Sequence, residues 1–318
     1  WSGTWVNTPE ITSSHAIVAA EVTVDGKIGT AVTVQNIIRN DKGGVVAHGE
    51  ILNVDSSVIK DTLTIVNPHL WDIEDTYQYT LETTVKVNGT ATDIYNPRFG
   101  VRSTAFDVDH GFFLNGKPIK LHGACIHADH GPLGVACYDA AEIRKVRLLK
   151  RAGFNAVRLS HHPFSSAFLD ACDAEGLLVE ANFFDVWRVA KMKYDYSLAF
   201  ARDWKRDLTW TVLRDRNHPS LIAHHISCNF LNPRYNQYPQ SLARDARNKD
   251  GKVAKGGGEQ VIDKGAEIGR EFNPHVLFYG HADGNGGDIS GANLYLNWTP
   301  LQEREDWFSS WAESGDYP

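Results

Sequence analysis

RDRNHPSLIAHHISCN, residues 214–229, is the stretch from which the architecture of this chain is most readily inferred. Residues 214–219 are mostly polar and precede a predicted strand, at the face that serves stability in a barrel, so we expect an architectural hydrogen-bond cluster there. Residues 221–226 are rich in apolar side chains and have the length of a buried strand. The strand then ends in the polar triplet SCN. Polar residues at the carboxyl end of a buried strand are typical of a parallel α/β sheet.

Strand-like runs alternate with helical stretches from residue 111 onward, which predicts βα units around a parallel sheet. A helix is predicted over residues 140–152, with Asp139 as its N-cap and Gly153 just past its end. A closed (β/α)₈ barrel needs eight strands. We therefore expect further strands from the same protein or from another subunit, because open sheet edges are unfavourable in water. Six strands are predicted here, over residues 119–126, 156–160, 177–181, 221–226, 276–279 and 291–296.

The first hundred residues follow a different pattern, with short alternating apolar runs and turn dipeptides between them. Asp25-Gly26 and Asn88-Gly89 are such turns. About seven short strands over this length predict a two-sheet sandwich of immunoglobulin type. We expect two domains, a sandwich over residues 1–108 and a barrel over residues 109–318. The clearest strand-like runs are residues 16–24, 29–37, 45–54 and 77–87.

Composition narrows the classes of function. The net charge is −7 with no long basic cluster, which argues against nucleic-acid binding. No apolar run approaches the roughly 18 residues of a membrane-spanning helix. The four cysteines show neither paired nor zinc-ligand spacing, so we expect buried free thiols and neither a metal nor a cofactor. The compartment stays open, because an export signal ahead of Trp1 is compatible with this sequence.

Several motifs resemble those of glycoside hydrolase family 2, the family of β-galactosidases, β-glucuronidases and β-mannosidases. NPHLW at residues 67–71, YQYTL at 77–81 and RFGVR at 98–102 resemble the signature of its sandwich domain. LNGKP at 114–118 resembles the approach to its first barrel strand, and residues 214–229 resemble its fourth strand. The resemblance implies an immunoglobulin-like β-sandwich followed by a TIM barrel, as part of a longer protein that also carries a sugar-binding domain and the last barrel strands.

The resemblance also places an unusual residue at the catalytic position. Asn229 stands where the family has its general acid/base glutamate, and an amide cannot donate a proton near neutral pH. The nucleophilic glutamate of the family is expected beyond Pro318. Three explanations remain open: another residue donates the proton, the leaving group needs none, or the site binds sugar without turnover. The candidate proton donors are His225 and Cys228 as the catalytic choices, together with His127, Asp129, Asp185 and His224.

Three further motifs at predicted strand ends resemble substrate-binding segments of the family. They are CIHADHG at residues 125–131, RLSHHP at 158–163 and EANFFDVW at 180–187. In the third, Asn182 replaces a carboxylate of the family. Each of these side chains could instead be a hydrogen-bonded structural residue, and the aromatic ones could serve packing. The expected substrate-binding residues are His127, Asp129, Arg158, His161, Asp185, His281, Asn293, Tyr295 and Trp298.

The resulting hypothesis is a family 2 type glycoside hydrolase that acts on a β-linked galactoside or a related carbohydrate. The alternative is a non-hydrolytic carbohydrate-binding or scaffold protein that kept the barrel and lost catalysis. The expected partners are a carbohydrate substrate and the remaining barrel strands, with a homo-oligomer as an open alternative.

Overall fold

The structure is a computed structural model, and it describes most of the chain. The predicted strand at 291–296 lies outside the described residues. No helix in the described part of the chain is both long enough and apolar enough to cross a membrane. The described ranges are residues 3–26, 31–52, 54–107, 109–186, 190–226, 257–280 and 287–289.

Two antiparallel sheets form the amino-terminal sandwich and confirm the sequence prediction. The strands at residues 15–23 and 32–39 alternate between buried and partly exposed side chains, so each turns one apolar face inward. Val18, Ile38, Leu63 and Leu81 from the two sheets meet in the core. One sheet has the order β1 (Thr4–Ile11), β2 (His15–Thr23), β5 (Val58–Val66); the other has β4 (Val45–Ile51), β3 (Val32–Arg39), β6 (Tyr79–Val87), β7 (Thr90–Tyr95), with β8 (Arg98–Phe99) also paired to β6.

A small antiparallel sheet follows the sandwich, with the order β11 (Lys117–Pro118), β10 (Gly111–Leu114), β9 (Thr104–Asp107). Asn115 and Gly116 join β10 to β11 with positive φ values of 52° and 74°, as a two-residue hairpin turn requires. Leu114 of this sheet is fully buried in a cluster that includes Leu178 and Ile222 of the parallel sheet. The small sheet therefore covers the amino-terminal end of the barrel strands.

The carboxyl-terminal half contains a five-stranded parallel sheet whose spatial order follows the chain, which confirms a partial barrel. Helices pack on its outer face around a core that includes Phe168, Phe200 and Phe278. The strands are β12 (Gly123–His127), β13 (Ala156–Ser160), β14 (Leu178–Asn182), β15 (Leu221–His225) and β16 (Leu277–Tyr279), and the helices are α1 (Asp139–Arg151), α2 (Ser166–Glu175), α3 (Ser197–Asp215) and α4 (Gly257–Phe272).

Some sequence predictions need correction. The N-cap of α1 is Tyr138, with extended backbone and no side-chain cap, so the predicted Asp139 lies one residue inside the helix. Gly153 follows the helix with φ of 89°, as predicted. The prediction of buried thiols is wrong for Cys125 and Cys137, which are exposed, and right for Cys172. Cys228 lies outside the described residues, and the predicted domain boundary at residue 108 stays a prediction.

Hydrogen bonds tie the sandwich to the start of β15. Arg102 donates from Nη2 to the Leu221 carbonyl at 2.6 Å and from Nε to the Pro219 carbonyl. Asn217 accepts from the amide of Val6 at 2.9 Å and donates to the carbonyl of Thr4 at 2.8 Å. Residues 214–219 therefore have the architectural role predicted for them. Arg102, the second arginine of the RFGVR motif, thus reaches from the sandwich into the barrel.

Asp173, near the end of α2, is the second contact point between the domains. Its backbone carbonyl accepts from Trp71 Nε1 of the sandwich at 2.9 Å, and Trp71 is fully buried. Its carboxylate accepts from the amide of Ser220 at 3.0 Å and from the Ser220 hydroxyl at 2.6 Å. The other carboxylate oxygen pairs with His218 Nδ1 at 2.6 Å. One buried carboxylate thus fixes the segment that leads into β15.

Gly176 caps α2 at a close approach of the sandwich, and its replacement tests this contact. Gly176 has φ of 72°, and a Cβ there would lie 2.1 Å from the Ile73 carbonyl oxygen. Gly153 also has positive φ, but nothing lies within 4 Å of its Cβ position. We expect Gly176→Ala to lower the free energy of unfolding by about 2 kcal/mol, and Gly153→Ala by about 1 kcal/mol from backbone strain alone.

Denaturant unfolding of the two variants measures this difference, with Gly153→Ala as the matched control. Equal losses for the two variants would show that the close approach at Ile73 contributes nothing.

Candidate active site

Charged and polar side chains meet at the inner face of the parallel sheet. Arg158 on β13 lies beside Glu180 on β14 in the strand register, and His225 on β15 lies beside Tyr279 on β16. All four strands run in parallel. His225 and Tyr279 are the last residues of their strands, and Arg158 and Glu180 lie two residues before the carboxyl ends of theirs. That end of the sheet is where TIM barrels place their reacting groups. We call Arg158, Glu180, His225 and Tyr279 the inner polar cluster.

A hydrogen bond between His225 and Glu180 forms the centre of this cluster. His225 Nε2 lies 3.0 Å from Glu180 Oε2, and the rings of His225 and Tyr279 are 4.1 Å apart. Burial opposes the charge on Glu180, but its hydrogen bonds with His225 and Tyr279 and the positive charge of Arg158 outweigh this and lower its pKa. Burial lowers the pKa of His225. At neutral pH the pair is therefore a carboxylate that accepts from the N–H of a neutral imidazole.

Arg158 links this cluster to His161. Its Nη2 lies 3.4 Å from His161 Nδ1, and its Nη1 donates to the sulfur of Cys125 at 3.2 Å. Burial and the adjacent Arg158 lower the pKa of His161 to about 4, so this imidazole is neutral at neutral pH. A guanidinium can only donate hydrogen bonds, so Nδ1 is the acceptor and Nε2 carries the proton. His161 can therefore donate a hydrogen bond from Nε2 to a ligand hydroxyl.

Asn182 occupies the same face of β14 as Glu180, two residues further along the strand. It is fully buried, and its Nδ2 lies 3.4 Å from His161 Nδ1. Its Oδ1 makes no hydrogen bond among the described residues. Asn182, which the sequence predicts to replace a carboxylate of the family, is therefore near the substrate-binding candidate His161. The carboxylate on this strand is Glu180, two residues earlier on the same face.

The other predicted binding residues of the described part lie around this cluster. His127, at the end of β12, is exposed and stands edge-on to His161 at 5.3 Å between ring centroids. Asp129 is exposed in the loop after β12. Asp185 is half-exposed and forms an ion pair of 2.6 Å with Lys191. His127, Arg158 and His161 are thus brought together. The binding roles predicted for these residues stay predictions.

His224 is a wrong candidate for the proton donor, although it is the neighbour of His225. Its ring stacks between Phe183 at 4.7 Å and Phe278 at 5.1 Å, both of which belong to the core under the helices. Burial lowers its pKa to about 3. A strand turns alternate side chains to opposite faces, so His224 faces the helices and His225 faces the interior. The predicted site residues Cys228, Asn229, His281, Asn293, Tyr295 and Trp298 lie outside the described residues.

Glu180 and Tyr279 are the residues that the sequence analysis missed. Glu180 follows the apolar run of residues 177–179, and a lone carboxylate within a buried strand is rarely tolerated without a partner. That pattern is the signal that could have identified it. Tyr279 had no such signal, because an aromatic residue is ordinary in a strand.

A separate cavity of about 510 Å³ lies at the opposite end of the barrel strands, between the sandwich and the segments that lead into β15 and β16. Trp5 and Arg216 line it, with the guanidinium 5.1 Å from the ring centre. Its walls come from structural contacts between the domains, including His218 and Arg102. It is remote from the carboxyl ends of the strands and does not belong to the candidate site.

Comparison with known proteins identifies two matching family models. Residues 3–102 match the model described as "Glycosyl hydrolases family 2". Residues 107–252 match the model described as "Glycosyl hydrolases family 2, TIM barrel domain". The two matches follow each other along the chain and together cover more than half of it.

Curated relatives and solved structures agree with these matches. The chain is 37% identical over 226 residues to "Beta-galactosidase BoGH2A" of Bacteroides ovatus. The aligned region covers 69% of this chain and 27% of that protein. It is 32% identical over 162 residues to "Beta-glucuronidase" of Bacteroides fragilis, covering 50% of this chain and 23% of that protein. A glycosyl hydrolase family 2 member from Bacteroides cellulosilyticus has a similar structure, with a TM-score of 0.78, 32% identity, and coverage of 95% of this chain and 38% of the other.

Proposed function

Because the chain belongs to glycoside hydrolase family 2, we propose that the whole protein is a glycosidase that hydrolyses a β-linked galactoside or a related carbohydrate. The chain spans about a quarter of the length of the curated relatives reported above. In this proposal it supplies the sandwich and most of the barrel strands, and the rest of the protein supplies the remainder of the active site. The relatives are named as glycosidases, which favours hydrolysis over the non-hydrolytic alternative.

The observation that carries this proposal is the convergence of Arg158, His161, Glu180 and His225 within two residues of the carboxyl ends of adjacent parallel strands. Sugar hydroxyl groups are recognised by a few placed donors and acceptors. Arg158 and the Nε2–H of His161 are donors, and Glu180 is an acceptor. Glu180 and Arg158 balance each other's charge, so the inner polar cluster suits a neutral sugar.

The proposed chemistry follows the two-carboxylate scheme of retaining glycosidases, in which the acid/base and the nucleophile are about 5 Å apart. Asn229 at the acid/base position cannot protonate the departing oxygen. Glu180 has a lowered pKa and is therefore an acceptor at neutral pH. The N–H of His225 donates to Glu180, so His225 holds that carboxylate in place. We therefore propose that bond cleavage depends on the acidity of the leaving group more strongly than in an enzyme with a glutamate at residue 229.

Hydrolysis of aryl β-galactosides with acidic and with poor leaving groups by the full-length protein tests this proposal. We expect at least about a tenfold higher kcat/KM for the acidic leaving group, because no carboxylic acid compensates for a poor one. Asn229→Glu is the matched variant, and it should flatten the dependence on the leaving group.

Equal rates for all leaving groups would show that another residue donates the proton. Replacing His225 and His127 in turn would then identify that donor. Binding of the sugars without hydrolysis of any substrate would contradict the enzyme proposal.

A further inference from the structure

Three potential metal ligands come together where the loop that follows β12 packs on α1. His130 and Cys137 lie in this loop, and Glu142 lies in the first turns of α1. One ligand atom from each residue, the imidazole nitrogen, the sulfur and a carboxylate oxygen, lies within 4.8 Å of the others. The sequence predicts no metal here, because the ligands are seven and five residues apart and match no familiar zinc pattern. Folding of the loop onto α1 brings them together.

Two atoms of this cluster are buried without a hydrogen bond. The side chain of His130 is 5% exposed and that of Glu142 is fully buried. His130 Nε2 and Glu142 Oε2 lie 3.3 Å apart, yet neither makes a hydrogen bond of normal geometry with any described residue. The other carboxylate oxygen accepts from Ser165 Oγ at 3.0 Å. Leaving a buried polar atom unsatisfied costs about 1–3 kcal/mol, so this arrangement calls for a further partner.

We infer that His130, Cys137 and Glu142 form a binding site for a divalent transition metal, with Zn²⁺ as the best-suited ion. Zinc takes one nitrogen, one sulfur and one oxygen ligand readily, in tetrahedral geometry. Bond lengths of about 2.0–2.1 Å to nitrogen and oxygen imply an N···O edge of roughly 3.3 Å in such a tetrahedron. The observed separation of His130 Nε2 and Glu142 Oε2 equals this edge.

Charge and access also suit a cation. The sulfur of Cys137 lies beside the carboxylate of Glu142. A bound divalent ion would take the place of the thiol proton and would balance the charges of a thiolate and a carboxylate. Lys145 is the cation near this thiol, and its ammonium donates to the His127 carbonyl at 3.0 Å. Because Cys137 is exposed, an ion can enter from solvent and keep a water as its fourth ligand.

A second group of possible ligands in the described part of the chain, Asp170, Asp173 and His218, provides a contrast. There both carboxylate oxygens of Asp173 accept hydrogen bonds, from Ser220 and His218. A metal would have to break these bonds, so that group carries no inference. In the His130 site, His130 Nε2 and Glu142 Oε2 make no hydrogen bond among the described residues that a metal would have to break.

A metal at this site would join three segments of the barrel. His130 and Cys137 belong to the loop that also carries Asp129, Glu142 belongs to α1, and Ser165 caps α2 through the amide of Phe168. The ion would thus fix the loop that begins at His127 onto the two helices. This inference does not depend on the proposed glycosidase activity.

Metal binding by the full-length protein, stripped with a chelator and dialysed against Zn²⁺ or Co²⁺, is the test. We expect one ion per chain by elemental analysis and, for Co²⁺, a thiolate-to-cobalt charge-transfer absorption. Cys137→Ser should abolish that absorption, and Cys137→Ser and Glu142→Gln should each weaken Zn²⁺ binding at least about tenfold. Cys125→Ser is the matched control, because it removes the other exposed thiol of the described chain and should leave the absorption unchanged.

Absence of bound metal at micromolar Zn²⁺ would overturn the inference, and so would binding that Cys137→Ser leaves intact. Glu142 is buried, so Glu142→Gln could impair folding. Cys137 is exposed and decides the question without that risk. As a second measurement, Zn²⁺ should slow the reaction of Cys137 with a thiol reagent in the wild-type protein, and equal rates with and without Zn²⁺ would contradict the site.

Discussion

Replacing Glu180 with Gln is expected to lower the free energy of unfolding by roughly 2 kcal/mol. The change removes the negative charge that accepts a hydrogen bond from His225 and attracts the positive charge of Arg158, and a hydrogen bond to a charged group contributes about 1.5–3 kcal/mol. About a quarter of the Glu180 side chain is exposed, which favours the lower end of this range. Denaturant unfolding of the full-length protein measures the loss.

The same substitution should reduce kcat/KM on an activated aryl glycoside by about 100-fold if the proposed function is right. Glu180 fixes the orientation of His225 through their hydrogen bond, and small displacements in an active site cost about this factor. In the proposed function Glu180 also accepts a hydrogen bond from the sugar. The effect should therefore appear both in kcat and in KM.

Two comparisons separate this effect from general destabilisation. Glu175→Gln removes a carboxylate that pairs with Arg147 at the surface, at 2.7 Å, and should change neither stability nor activity much. Combining Glu180→Gln with Arg158→Met should cost less than the sum of the single losses, because the second change removes the unpaired charge. Additive losses would mean that Arg158 and Glu180 do not interact.

Stability should also fall as the pH rises from about 6.5 to 9, because of the buried pair of His218 and Asp173. Burial alone would lower the pKa of His218, but the Asp173 carboxylate raises it to about 9, above the ordinary 6.5. A raised folded-state pKa gives stability that is fully present below the unfolded value and is lost as the pH rises through the folded value. The difference corresponds to roughly 3 kcal/mol.

Thermal unfolding as a function of pH measures this contribution. His218→Gln should be less stable at pH 6 and should lose the decline between pH 6.5 and 9. His161 and His224 have pKa values near 4 and 3 and therefore titrate below this window. His69→Gln is the matched control, since His69 pairs with Asp75 at the surface and exposed pairs contribute little. An unchanged pH profile in His218→Gln would refute the assignment.

The sequence predicted the architecture well where burial alone determines it. The bounds of β13 agree at both ends, since residues 156–160 are all buried and flanked by loops. β12 was predicted to start at Ile119 but starts at Gly123, because Ile119 and Leu121 pack beneath the barrel in irregular backbone. Apolar side chains mark burial, and they do not show whether the backbone that carries them forms a ladder.

The candidate site was only partly predictable. Arg158, His161 and His127 were found because they follow strand ends in motifs that resemble the family's. The partner of His225 was not found, because the pairing of Glu180 with it depends on strand register between residues 45 positions apart. The rejection of His224 depends on the same fact, since only the register shows which of two adjacent histidines faces the interior.

The hydrogen bonds of Arg102 and Asn217 across the domain junction have a consequence for recombination. The carbonyls of Pro219 and Leu221 receive their donors from the sandwich, and the amide of Val6 finds its acceptor in the barrel. A chimera that takes its sandwich from one homologue and its barrel from another would leave these groups mismatched at a buried seam. The two domains must therefore be exchanged together, or the residues that form these hydrogen bonds must be transferred with whichever domain is moved.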